Sequence, residues 1–164
     1  MLNRTGQGAV HRSAFVILVA ALICAACQPA ATPQETPMTD VQHLNLPGTE
    51  ELGLPFSSAV RVDNMLYLSG NLGNLPGSDD LAPGGIQGET RQTMENIKTV
   101  LEQFGSSLDQ VVKCTVFLAD MQEWGAMNEV YRTYFKSPPA RSAFGANGLA
   151  LNARVEIECI ATVA

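Results

Sequence analysis

An unbroken apolar run, Ala14 to Ala26, dominates the N-terminal end of the chain. As a helix its 13 residues would reach only about 20 Å. A bilayer crossing needs roughly 20 apolar residues, and a surface helix needs a polar face that this run lacks. It has the length of the apolar segment of an export signal, and Arg4, His11 and Arg12 give it a basic front. The break falls at Cys27, with 18 hydrophobic residues in the first 27 and 57 in the remaining 137. What folds must therefore lie after Cys27, and the overall 46% hydrophobic content overstates its core.

The run ends Cys24-Ala25-Ala26-Cys27, and two small residues before a Cys resemble a bacterial lipobox. In that resemblance Cys27 is the lipidated first residue of the mature chain, although Cys24 stands where an aliphatic residue is usual. Plain secretion, or an uncleaved anchor or cytoplasmic product, are the alternatives. Gln28 in second place resembles an outer-membrane sorting signal. The stretch from Gln28 to about Asp40, rich in Pro, Thr and Ala, has no apolar periodicity and reads as a semi-extended tether. The expected organisation is a signal peptide over 1–27, a tether with a possible first strand over 28–46, and one domain over 47–164. The expected location is outside the cytoplasm, on a membrane facing the periplasm or the cell exterior.

The formal charge is -6; loss of Arg4 and Arg12 with the leader leaves eight basic against sixteen acidic residues, a net -8. Such a balance argues against nucleic acid as a partner and gives no electrostatic reason to lie on anionic lipid. Membrane attachment is then expected through the lipid anchor only. Two cysteines remain beyond the leader, Cys114 and Cys159. An exported compartment and an even count invite a disulfide. Both alternate with Val, Leu or Ile, however, and read more simply as separate small core hydrophobes. His43 is the one histidine after the leader, so neither a His-rich metal site nor a Ser-His-Asp triad is expected.

From Leu54 the hydrophobic pattern becomes regular. Ser58–Val62 and Met65–Leu72 flank Asp63-Asn64, a pair that tolerates positive φ and predicts a tight hairpin. A Gly- and Pro-rich loop over 73–85 follows. A helix is expected from Ile86 to Phe104, with Ile97, Val100, Leu101 and Phe104 on one face and Gly105 as its stop. Leu108–Leu118 reads as a strand with Val112, Cys114, Val116 and Leu118 on one face. Asp120 and Glu123 have the spacing of a capping box before a second helix that runs to about Lys136. That helix should bury Trp124, Met127, Tyr131 and Tyr134 or Phe135 before Pro138-Pro139 stops it. Strands over Ser142–Ala146 and Arg154–Val163 complete the order β-β-β-α-β-α-β-β, if Val41–Leu46 supplies the first strand. Two helices on one face of a mixed sheet make an α+β domain with its other face uncovered, so self-association is expected.

Three polar features invite a chemical reading. Arg141, beside Pro138-Pro139, is of the residue type that grips a carboxylate through two parallel N–H bonds; a surface ion pair is its plain alternative. Glu156 and Glu158 share one strand face opposite Val155, Ile157 and Cys159. Crowding or burial of such a pair raises a carboxyl pKa toward the range of a general base; a solvated face with Arg154 as partner is the alternative. Ser69-Gly70-Asn71 ends an apolar strand, where glycine admits a close backbone approach; a simple strand exit is the plain alternative.

Taken together, the residues are similar to the Rid family, the YjgF-type reactive intermediate deaminases. Gly84-Gly85-Ile-Gln-Gly-Glu-Thr-Arg91-Gln-Thr-Met-Glu-Asn96 resembles the family's first-helix signature. Leu108 to Met121, Asn128-Glu-Val-Tyr131, Pro139-Ala-Arg141-Ser142 and Val155-Glu156-Ile-Glu-Cys-Ile-Ala161 follow in family order. The resemblance implies chorismate-mutase-like subunits in a homotrimer with clefts between neighbours. It implies that Arg141 holds a substrate carboxylate, that Glu156 orients or activates water, and that Ser69, Gly70, Phe56, Asn128 and Ala143 line or support the cleft. Phe56 stands where many members carry Tyr, and Ala143 where several carry Cys.

The implied reaction is hydrolysis of a 2-imino acid, the tautomer of an enamine such as 2-aminoacrylate, to a 2-keto acid and ammonia, with no metal or organic cofactor. The alternative is a trimeric module that binds small carboxylates in the same cleft without turnover.

Overall fold

In the computed structural model, residues 39–163 are described. The expected leader, the lipidation site Cys27 and most of the tether lie outside these residues. Seven strands form one sheet in the spatial order β1-β2-β3-β7-β5-β6, with β4 pairing beside β3 on β7. Their ranges are β1 Val41–Leu44, β2 Ala59–Val62, β3 Met65–Leu68, β4 Asn71–Leu72, β5 Val111–Leu118, β6 Ala140–Gly145 and β7 Val155–Thr162. All pairings are antiparallel except β5 with β6, which are parallel and joined through a helix. The helices are α1 Gly85–Gln103 and α2 Trp124–Tyr131. The α+β class and the predicted element order hold, with β1 present and the short β4 added.

The Asp63-Asn64 hairpin forms with Asp63 at φ 52°. The longer run predicted over Met65–Leu72 is broken at Ser69-Gly70, where one extra residue separates the β3 and β4 pairings with β7. This interruption matters for the site. Asn96 in α1 holds β4 in place: its amide donates to the carbonyls of Leu72 and Asn74, both at 2.9 Å. Gly73 and Gly88 allow close approach at this junction, since a β-carbon on either would collide with the backbone of Glu89 or Pro83 respectively.

The core lies between the helices and one sheet face. Met94, Ile97 and Leu101 of α1 and Met127 of α2 are fully buried against Leu66, Val116, Val155 and Ile157. Three local expectations are corrected. Val112 is exposed and Val111 buried, because a register shift between Val111 and Lys113 turns the start of β5 over. Trp124 is 44% exposed rather than buried, because it begins α2 at the sheet's rim. The capping box is half formed: Asp120 Oδ1 accepts from the Gln122 N–H at 2.9 Å, but Glu123 pairs with Arg154 instead. The second helix is also shorter than predicted, passing into a 3-10 turn over Arg132–Tyr134.

The reading of the two cysteines as separate core hydrophobes is corrected as well. Antiparallel register sets Cys114 opposite Cys159, and their sulfurs are bonded. Both are buried on the helix-facing side, so the alternation in the sequence was right while the pairing was hidden.

Candidate active site

The residues singled out in the sequence gather into two groups. In the first, β7 turns Val155, Ile157 and Cys159 into the core and Glu156 and Glu158 toward the uncovered face. The Glu156 side chain folds back over Gly70, and its Oε1 occupies the place a β-carbon would take there. Its carboxyl is raised above the ordinary range, first by burial and then by the charge of Glu158. Ser69 is adjacent, and its hydroxyl donates to the Ser57 carbonyl at 2.7 Å. That bond ties the strand exit to the segment carrying Phe56, whose ring is 57% exposed. Phe56, Ser57, Ser69 and His43 line a hollow of about 500 Å³.

The second group surrounds Arg141 in β6. Parallel register places Arg141 beside Cys114 and Ala143 beside Val116, residues that face the helices. Arg141 therefore points to the helix side of the sheet's edge, where its guanidinium carbon lies 4.7 Å from the Tyr131 ring centre and 5.9 Å from that of Trp124. Among the described residues no carboxylate forms an ion pair with it. Asn128, Tyr131, Phe135, Pro139 and Arg141 line a hollow of about 570 Å³. Ala143 lies next along the strand, packed against the core.

Within one chain the two groups do not meet. Arg141 shares a face with Cys114 and Cys159, whereas Glu156 and its register partner Phe117 project from the other. The alternation that exposes one buries the line of sight to the other. Arg141 and Glu156 of one chain thus do not share a cleft.

Residues 50–163 match the family described as Endoribonuclease L-PSP. A mouse protein named 2-iminobutanoate/2-iminopropanoate deaminase is 46% identical over 108 residues, covering 65% of this chain and 80% of its own. The chain belongs to the Rid family. Among further relatives, an Arabidopsis thaliana protein named Reactive Intermediate Deaminase A, chloroplastic, is 39% identical over 110 residues, 66% of this chain and 59% of its own. The crystal structure of RidA from an Antarctic Psychrobacter superposes with a TM-score of 0.64 at 38% identity, covering 68% of this chain and 90% of that one.

One element of this Rid-family fold escaped the sequence reading. Glu89 is buried in α1, and its Oε2 accepts from the Arg154 backbone N–H at 2.7 Å. Arg154 in turn bonds Glu123 through Nη1 at 2.5 Å. The link fixes the entry of β7, two residues before Glu156. Arg154 is thus the partner of Glu89 and Glu123, not of Glu156 as the plain alternative had it. Glu89 in the first-helix signature gave no sign of a partner 65 residues away.

Proposed function

We propose that this chain hydrolyses reactive 2-imino acids, the tautomers of enamine acids, to 2-keto acids and ammonia. The observation that carries the reading is an Arg141 with no acidic partner among the described residues, in a chain whose Glu156 carboxyl is raised by burial and Glu158. The first suits a carboxylate anchor and the second a general base. Their placement on opposite faces supports a homotrimer in which each cleft takes Arg141 from one copy and Glu156 from its neighbour.

The chemistry asks little of the protein. A protonated imine carbon is already electrophilic, so holding the acid and a water in attack geometry supplies much of the acceleration. Water adds to C2 as Glu156 accepts its proton. That proton passes from Glu156 to the nitrogen, the C–N bond of the carbinolamine breaks and ammonia leaves, while the hydroxyl proton returns to Glu156 as the carbonyl forms. Tyr131 does not compete as a base, since burial, opposed by the Arg141 charge, pushes its phenol up to about 12. Neither a metal nor an organic cofactor enters these steps.

The proposal includes export and lipidation at Cys27. A disulfide between two buried cysteines supports an oxidising compartment. The alternative, carboxylate binding without turnover, is favoured by Phe56, whose ring brings no hydroxyl to the cleft.

The test is the clearance of 2-iminopropanoate generated freshly in the assay, by wild type, Arg141→Ala and Glu156→Gln. Clearance by wild type alone is expected. Wild type no faster than buffer, with pyruvate or 2-ketobutyrate still bound in an Arg141-dependent way, would establish the binding module instead.

A further inference from the structure

Among the described residues Arg141 lies against ring faces and not against an acid, with consequences for how it binds. A carboxylate that steadies a guanidinium occupies the same fork of N–H groups a ligand needs. Here Tyr131 lies at 4.7 Å and Trp124 at 5.9 Å from the guanidinium carbon. Both distances fall within reach of a cation–π attraction. Tyr131 is itself buried, 5% exposed, and backed by Phe135 at 4.9 Å between ring centres. Trp124 has no such excuse. It begins α2 and is 44% exposed, so burial in the core does not account for a large aromatic ring there.

We infer that Trp124 and Tyr131 are positioning residues for Arg141, an aromatic cradle that fixes the guanidinium while leaving its N–H fork free for a substrate carboxylate. The inference rests on the reading of Arg141 as the carboxylate anchor. The cradle acts on binding more than on turnover, since the carboxylate is held alike in the ground and transition states. It also makes the chain's single tryptophan a built-in reporter of the site.

Trp124 is the residue to change, because Tyr131 is part of the core and its loss could unfold the chain. Calorimetry with 2-ketobutyrate should show Trp124→Leu binding about tenfold more weakly than wild type and Trp124→Phe within about threefold, since any aromatic face serves. The KM for 2-iminopropanoate should rise in step, with kcat and the thermal midpoint nearly unchanged. In the wild type, 2-ketobutyrate should alter tryptophan emission, and Arg141→Ala should abolish that response. Binding by Trp124→Leu within about twofold of wild type overturns the cradle, as does equal loss in the Leu and Phe variants. A fall in kcat and thermal midpoint without weaker binding also overturns it, marking a merely structural role. If Arg141→Ala itself binds as tightly as wild type, the anchor reading fails, and the two failures are distinguishable.

Discussion

Glu156 occupies the space that a side chain on Gly70 would fill. A β-carbon added there would overlap the carboxylate Oε1 and crowd the carbon that bears it. Gly70 has no positive φ, so its role is clearance and not backbone freedom. Gly70→Ala should therefore fold normally while pushing the carboxylate aside. The expected result is a thermal midpoint close to wild type with kcat lowered about 10- to 100-fold, the scale of a misplaced general base. Steady-state kinetics beside a melting curve would check it; an unfolded variant would show that the backbone itself needs glycine.

The raised Glu156 carboxyl makes a second prediction, with a definite sign. Burial and Glu158 favour the protonated form, and the base form is recovered as pH rises. The acid limb of the kcat/KM profile should sit above the ordinary carboxylate range. Glu158→Gln removes the second cause and should move that limb to lower pH without abolishing activity. The stability sign is opposite. A carboxyl raised in the fold favours folding below its unfolded pKa and loses that contribution as pH rises through the folded value. Glu156→Gln should thus raise the thermal midpoint at neutral pH, and the gain should shrink on acidification. An unshifted limb in Glu158→Gln would show that the two carboxylates do not interact.

The Cys114–Cys159 bond closes a separation of 45 residues. Chain-entropy reasoning gives such a crosslink roughly 2–4 kcal/mol, by restricting the unfolded chain. Changing both cysteines to Ala should cost about that much in urea unfolding, with cavity terms added because both sites are buried. Peptide mapping of the exported protein without reductant should recover the crosslinked pair. Two free thiols in that map would remove this support for an oxidising compartment.

For the anchor, Cys27→Ser should move the protein from the membrane fraction to the soluble exported fraction. Mass spectrometry of the wild type should find a lipidated N-terminal Cys27. Retention of the Ser variant in membranes would favour an uncleaved apolar anchor.

The sequence disclosed those features that depend on local period and withheld those that depend on register. The alternation from Val155 to Cys159 fixed the direction of both Glu156 and Glu158, and helix spacing found Ile97, Val100 and Leu101. Val112 misled because an irregularity in a ladder is invisible until the partner strand is known. For the same reason the disulfide was legible as two apolar positions but not as a bond. Trp124 was taken for core because it is large and lies near Met127 in the helix pattern. It stands instead at the first turn of α2, where its ring lies by the Arg141 guanidinium and stays largely exposed. Family motifs named Arg141 and Glu156, but only strand pairing revealed that one subunit holds them back to back.

That back-to-back arrangement changes how damage combines. A chain that has lost Arg141 still carries a sound Glu156, and a chain that has lost Glu156 still carries a sound Arg141. On the proposed trimer, when the two inactive variants are dissociated and reassembled together, each should lend its neighbour the missing half, and some clefts should become whole again. Recovered deaminase activity in the mixture, absent from either variant alone, would be the signature of catalysis shared between neighbours. On the proposed trimer, activity should also fall on dilution, and the proposed membrane tether would oppose that loss by keeping the partners crowded in two dimensions.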